Sequence, residues 1–528
     1  MPREIDNPDF PYATGQMISL LSPQRANAIM RQDLFHERSP DRTRSEEFQV
    51  PRSGLSPIRA PYTEEPFPYG AGHCPDHTYG NQQLSRRRDM SGLIRNFNIS
   101  SSPVQNTPRT QLTSTIDQNL HRSRVLFLVE SVTLAHLARA VTLAQSLDPA
   151  LYEVRLVCDP RYLALFDELE FPVHPIRSIK SNVFHDRLAN GDPLYTTADL
   201  RQYIQEDLRV MTEWKPDLVI GDFRLSLSVS ARLAGVPYVT VTNAYWSPYA
   251  RPHFLVPELP ITERFGPWVA QGLFNLIRPV VFAQQAYALN RLRRDYGLPA
   301  VRYDLAHTFS EADYTLYTDL PQLIPTVHLP SHHCYVGPVV WSFGEPPPWW
   351  SCLRENARTV YVTMGTSGRA DVAQMVARAL ARMGWQVLMA TADDTTIAGV
   401  KDGVYVANYL PGTSAARMAD LVVCNGGSAT VYQALAAGTP VLGIPMNLDQ
   451  YLMMDYTRRF GAGEMIRAGM ATDELVTRTV RRMVESGQYN TRAAHVRDQI
   501  GHYRTRERFQ TFVEGLLQEG KTFTVVPR

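Results

Sequence analysis

Cysteine is scarce in this chain. Five occur among 528 residues (Cys74, Cys158, Cys334, Cys352 and Cys424), odd in number and far apart, which argues against a disulfide framework and fits a reducing compartment. Long apolar runs are missing too: no stretch reaches the roughly 18 residues that a membrane-spanning helix needs. The start, MPREIDNPDFPY, lacks the basic-then-apolar order of a secretory leader, so a cytoplasmic location is the expectation. Net charge is nearly absent. At +1, with arginine far outnumbering lysine, the chain offers no broad positive field for a nucleic acid. Zinc-like spacing is lacking as well. His73-Cys74-Pro75-Asp76-His77 and His332-His333-Cys334 hold ligand-type residues, but no second pair stands nearby to complete a four-ligand site.

What is present is a soluble, globular composition, 44% hydrophobic, in a chain too long for one ordinary core. Residues 1–120 are set apart by Pro, Arg, Ser, Asn and Gln without long apolar periodicity, and are expected to be mostly disordered, with at most a short helix at 23–35. Regular alternation begins near residue 121. Residues 125–129 (VLFLV) read as a buried strand, 133–147 as an amphipathic helix with Leu134, Leu137, Ala138, Val141 and Ala144 inward, and 153–158 as the next strand. A short helix at 161–169, a longer one at 197–214, a strand at 216–222 ending on Asp222, a helix at 226–234 and a strand at 238–241 follow. This order implies a doubly wound parallel sheet over residues 121–335. A stiff proline-rich crossing occupies 336–350, and the alternation restarts at 359 for a second sheet domain over 351–500. A last helix at 500–518 is expected to return to the first domain.

The chemistry concentrates in the second domain. Residues 420–424 (DLVVC) form a short β-branched strand, Asn425-Gly426-Gly427-Ser428 a glycine turn, and 428–437 a helix closed by Gly438-Thr439-Pro440. Glycines allow close backbone approach, and a helix start offers unpaired N–H groups with the positive end of its dipole, a seat for a phosphate or diphosphate. Ser428 and Thr430 add hydroxyls. A tight strand-to-helix connection with no ligand would use the same residues. A second glycine turn, Gly365-Thr366-Ser367-Gly368, precedes another helix.

The string from 425 to 450 resembles the carboxyl-domain signature of family 1 nucleotide-sugar glycosyltransferases, the GT-B group, through Gly426-Gly427, Thr430, Ala434-Leu435, Gly438, Pro440, Pro445 and Asp449-Gln450. It departs from that pattern at Asn425, where the family has a histidine, at Ala429 for a glycine, and at Gln433 for a glutamate. The segment LAHLARAVTLAQSL resembles the family's GHxxPxxxLAxxL, placing His136 on the catalytic base and Arg139 on the usual proline. PDLVIGDF resembles the segment whose aspartate, here Asp222, orients that base. The resemblance, over about 124–519, implies two Rossmann-like α/β domains facing across a cleft. It further implies diphosphate binding by Gly365, Thr366, Asn425, Gly426, Gly427, Ser428 and Thr430, nucleoside binding by Tyr409 and Gln433, and donor-sugar binding by Asp449 and Gln450.

These residue types suit the reaction. An attacking hydroxyl must lose a proton, a neutral imidazole is a suitable base near neutral pH, and a carboxylate on its other nitrogen fixes the tautomer. The expectation is an inverting transfer of a hexose from a UDP- or dTDP-sugar to a hydroxyl of an apolar small molecule or lipid, with no cofactor and no metal. Asp393-Asp394, in a polar loop, is not a credible chelating pair, and activity in EDTA is expected. Trp246, Tyr249, Phe254, Phe265, Trp268, Phe274 and Phe282 make residues 243–305 the acceptor candidate. The same aromatics also fit core packing or, over 267–282, peripheral contact with a membrane surface. A non-hydrolysing nucleotide-sugar epimerase and a GT-B-shaped binding protein without turnover remain as alternatives. Sugar, nucleotide, acceptor and oligomeric state are not legible.

Overall fold

The computed structural model describes residues 122–166, 169–392 and 399–519. The expectations placed on residues 1–120, on the cluster at 73–77 and on Asp393-Asp394 lie outside the described residues.

The first sheet contains β1 (Ser123–Val129), β2 (Tyr152–Cys158), β3 (Val173–Pro175), β4 (Leu218–Asp222), β5 (Tyr238–Thr242), β6 (Tyr314–Tyr317) and β7 (His333–Tyr335), in the order β3-β2-β1-β4-β5-β6-β7. Every pairing is parallel. Its order doubles back at β1, with β2 on one side and β4 on the other, where the carboxyl ends of neighbouring strands open a crevice. Alternation along β1 explains the layers. Val125, Phe127 and Val129 enter one buried cluster with Leu137 and Val141, whereas Leu126 and Leu128 enter another with Val210, Trp214 and Leu227. The helices that matter below are α1 (Leu134–Ala144), α2 (Thr197–Trp214), α3 (Leu227–Ala234) and α4 (Pro260–Asp295).

The second sheet holds β8 (Thr359–Thr363), β9 (Gln386–Ala390), β10 (Gly399–Lys401), β11 (Val404–Ala407), β12 (Leu421–Cys424), β13 (Val441–Gly443) and β14 (Gly463–Met465), in the order β10-β11-β9-β8-β12-β13-β14. All pairings are parallel except β10 with β11. Val360 and Val362 face one layer and Tyr361 the other. Here α5 (Ala370–Arg382), α6 (Ser428–Ala437) and α7 (Leu448–Phe460) carry the turns of interest.

Three expectations about elements change. The helix expected at 161–169 is a 3-10 turn at Pro160–Leu165, because Asp159 caps it and the chain extends again at Phe166. His332-His333-Cys334, read as a loop, contributes His333 and Cys334 to edge strand β7, with His333 bonded through Nδ1 to the Tyr317 hydroxyl at 2.7 Å. The helix expected at 500–518 is two helices, Gln488–Tyr503 and α8 (Thr505–Glu519), separated by Arg504 at φ 50°. Helix α8 packs Phe509, Val513 and Leu516 into the first domain's cluster, with Phe509 against Phe127 at 6.3 Å.

The two domains are joined by more than chain crossings. One buried cluster includes Ala244, Tyr245, Tyr317 and Leu320 from the first and Val431, Tyr432, Leu435 and Leu452 from the second. Tyr432 on α6 donates to Asp319 at 2.9 Å, and Trp246 donates through Nε1 to Asp449 at 2.8 Å. Both bonds meet at the carboxyl ends of the two sheets.

Candidate active site

His136 sits in the first turn of α1, directly after the strand end at Val129. Asp222 is the last residue of β4, whose register sets it beside Val129. Doubly wound topology thus brings residues 86 apart in sequence to a distance of 2.7 Å, His136 Nδ1 to Asp222 Oδ1. In the tautomer that this bond requires, Nδ1–H donates and Nε2 carries the free lone pair. Phe223 lies in the left-handed region at φ 55° and stacks flat on the imidazole at 5.0 Å. Such a backbone is costly for an aromatic residue, and here it places the ring that clamps the histidine.

Sequence reasoning noted Arg139 only as a departure from a family proline. In the structure it is central. One turn after His136 on α1, it donates through Nε and Nη2 to the two oxygens of Asp222 at 2.6 and 2.8 Å. Its Nη1 donates to Asn243 Oδ1 at 3.0 Å and to Thr318 Oγ1 at 3.1 Å. Burial pushes the Asp222 carboxyl up, but the charge and hydrogen bonds of Arg139, joined by those of His136, outweigh it and hold the group below 3.8. Burial also opposes the guanidinium's charge, and Asp222, with Tyr245 and Asp319 behind it, more than restores it. Asp319 carries the network on. Burial pushes its carboxyl up to about 6, against Ala244 N–H, Tyr432, Asn243 and Arg139.

Across the boundary, the two glycine turns lie side by side. Asn425 donates through Nδ2 to Ser367 at 3.1 Å, and Gln450 Nε2 donates to the same hydroxyl at 3.2 Å. Ser367, outside the expected set, is therefore the node that ties Gly365 and Thr366 to Asn425. Gly426, at φ 81°, could carry no side chain, since a Cβ there would lie 2.5 Å from Met454.

Not every amide of the turn at Asn425 to Ser428 is unpaired. Gly427 N–H donates to Asn425 Oδ1 at 3.1 Å and Gly426 N–H to Cys424 Sγ at 3.3 Å, so the chain's own atoms occupy both. Helix α6 begins after Gly427 with no side-chain cap, and its first-turn N–H groups, at Ser428, Ala429 and Thr430, have no intrahelical partner. These N–H groups stand at the positive end of the helix dipole.

Two more residues are engaged by the fold itself. Gln433 is 6% exposed and donates through Nε2 to Trp341 O at 2.9 Å, with its oxygen seated against Gly412. Gln450 is 2% exposed and completes the capping box of α7 with Asn447. Tyr409 packs at the edge of the first domain's cluster beside Phe343 at 5.7 Å, and Phe343 stacks on Trp341 at 5.1 Å and 6°. Trp341 and Phe343 belong to the crossing segment and Tyr409 to the second domain.

Tyr245 was also missed. It is 1% exposed, and its hydroxyl lies close to Ser428 and Asp449 across the domain boundary. Burial first, then Asp449 and Asp319, push its pKa well above 10, while Ser428 is near enough to oppose them. The signal for Tyr245 in the sequence was only its place three residues past the end of β5. Among the described residues, no group of three or more His, Cys, Asp or Glu is arranged to hold a metal.

Two parallel-sheet domains meeting at their carboxyl strand ends, with a return helix, define the GT-B fold. The fold matches spinosyn rhamnosyltransferase SpnG, solved with thymidine diphosphate, at a TM-score of 0.53 and 19% identity over 74% of this chain and 100% of that one. Residues 374–504 match the model of the erythromycin biosynthesis protein CIII-like C-terminal domain. A PGL/p-HBAD biosynthesis rhamnosyltransferase of Mycobacterium bovis is 46% identical over 398 residues, 75% of this chain and 88% of its own length. A PGL/p-HBAD biosynthesis glycosyltransferase of Mycobacterium tuberculosis is 44% identical over 381 residues, 72% and 89% of the two chains. The chain belongs to this family of PGL/p-HBAD biosynthesis glycosyltransferases, and it is a sugar-transferring enzyme.

Proposed function

We propose that the enzyme moves a hexose from a nucleoside-diphosphate sugar to a hydroxyl of an apolar acceptor in one displacement, with inversion. The observation that carries this reading is the His136–Asp222 bond at 2.7 Å, which supports an Nδ1–H tautomer with Nε2 as the proton acceptor. Nε2 takes the acceptor's hydroxyl proton as the new carbon–oxygen bond forms. The bond from the anomeric carbon to the diphosphate breaks, and its electron pair leaves on the phosphate oxygen. First-turn N–H groups of α6 and the hydroxyls of Ser428 and Thr430 stabilise that charge. Asp222 steadies the imidazolium. No metal takes part.

Tyr409, with Trp341 and Phe343, is the platform for the base, and Asp449 holds sugar hydroxyls. The name of the Mycobacterium bovis relative makes a rhamnosyl donor the first to try, and thymidine diphosphate in SpnG favours dTDP as its carrier.

The test is His136→Ala, assayed with labelled dTDP- and UDP-sugars and an acceptor panel. A general base contributes about 10²–10⁴-fold, so transfer should fall by that much while nucleotide binding stays. Full activity in this variant removes His136 from the mechanism. Wild-type isomerisation of the donor without transfer, or binding without product, overturns the whole reading.

A further inference from the structure

Helix α4 is built unlike the others. Gly266 breaks it, at φ 72° and ψ 162°, and Pro267 starts the continuous part, which runs about 43 Å to Asp295 at 1.5 Å per residue. Its inner side is anchored. Ala270 and Phe274 pack on Val256, and that small cluster also takes in Phe254 and Leu448, next to Asp449. The outer side is apolar and uncovered. Trp268 is 91% exposed, Val280 71%, Leu276 66% and Val269 63%, with Phe265 beside the break at 52%. Within the continuous part, Trp268, Val269, Leu276 and Val280 fall within about a third of the helix circumference at about 100° per residue, so these four share one side, with Phe265 just before the break.

We infer that this face of α4 docks on an anionic membrane surface, lying in the interface rather than crossing it. Large side chains exposed in one continuous stripe are uncommon on a protein that meets only water. The charge pattern selects the partner. From 264 to 294 the sequence contains five arginines and no acid. Arg264 at one end and Arg291 and Arg294 at the other are exposed, so cations flank the apolar stripe. Of the acids nearby, Asp295 is held by Arg201 at 3.0 Å and Glu258 by Arg467 at 3.0 Å, leaving Glu263 in the first turn. Apolar centre and basic ends are the pattern of an interfacial helix, and no helix among the described residues is long and apolar enough to span. The helix also adjoins the segment that carries Trp246 and Phe254, so docking would set the site against the phase in which an apolar acceptor dissolves.

The full-length protein would be sedimented with vesicles of phosphatidylcholine alone and with added phosphatidylglycerol. Binding is expected to the anionic vesicles, weakening with salt, with brominated lipids quenching tryptophan emission. A variant carrying Trp268→Ser and Leu276→Ser should partition at least tenfold less and lose most of the quenching, with its melting temperature unchanged. Replacing Arg264 and Arg291 by Gln should cost about fivefold per arginine at low salt. Failure to bind anionic vesicles overturns the inference. So does a self-associated protein that the double serine variant converts to monomers without any change in vesicle binding, which would assign the face to a second copy. Neither readout needs turnover, so the result stands apart from the proposed reaction.

Discussion

Arg139→Met offers the sharpest test of how the site is held. Methionine keeps an unbranched apolar stem, but it leaves Asp222 without the donors at 2.6 and 2.8 Å and without the guanidinium counter-charge. Asp222 is 2% exposed, and breaking a buried pair by removing one partner costs about 3–5 kcal/mol. A carboxylate in that position takes up a proton rather than remain buried and unpaired.

In the native protein the Asp222 carboxyl is held low, so its stabilising contribution is complete above the unfolded carboxylate value and is lost as pH falls through its lower folded value. In the variant the loss begins at higher pH. Two measurements follow. The melting temperature should fall by several degrees, and the acid limb of kcat/KM should move toward neutral, because a protonated Asp222 no longer steadies His136. Arg139→Lys, which keeps the charge without the planar fork, should fall between. A methionine variant with native melting and an unmoved acid limb would refute the argument that Arg139 keeps Asp222 ionised.

Two further outcomes follow from the described network. Tyr432→Phe removes the bond to Asp319 and the acceptor for Leu320 N–H, at 2.9 and 3.3 Å, so about 2 kcal/mol of the domain docking should be lost and scanning calorimetry should show a lower transition. Glu130, which shares Arg224 with Asp207, is pushed up to about 7 by burial against its hydrogen bonds. A raised carboxyl binds its proton more tightly when folded, so stability should decline as pH rises from about 4.5 to 7, by about 3 kcal/mol. Glu130→Gln should flatten that slope in urea titrations at several pH values.

Much of the architecture was legible because buried parallel strands are short β-branched runs, as in VLFLV and DLVVC, and because glycine stops such as Gly438 mark helix ends. The edge strands β3, β7, β10 and β14 were not, since three residues are too few for any periodicity. Helix α4 was not legible as one element: Gly266, Pro267 and Pro279 are residue types that interrupt helices, although Pro267 starts the regular part. In the site, His136 and Asp222 were found through motifs. Arg139, Thr318, Asp319 and Tyr432 were not, because the bonds that link them join positions 113 to 179 apart and are made only when the sheets assemble. Asn425, Gln433 and Gln450 show the converse: the local string pointed to a ligand, and folding gave their side chains partners within the chain.

Helix α8 has a mechanical consequence. The polypeptide passes between the halves twice, once through the proline segment and once on its way back to Phe127. Two straps, with the buried cluster and the Tyr432–Asp319 and Trp246–Asp449 bonds between them, resist pulling the halves apart or sliding them past each other. Cutting after residue 503 would leave one strap and a greasy hole where Phe509 had been.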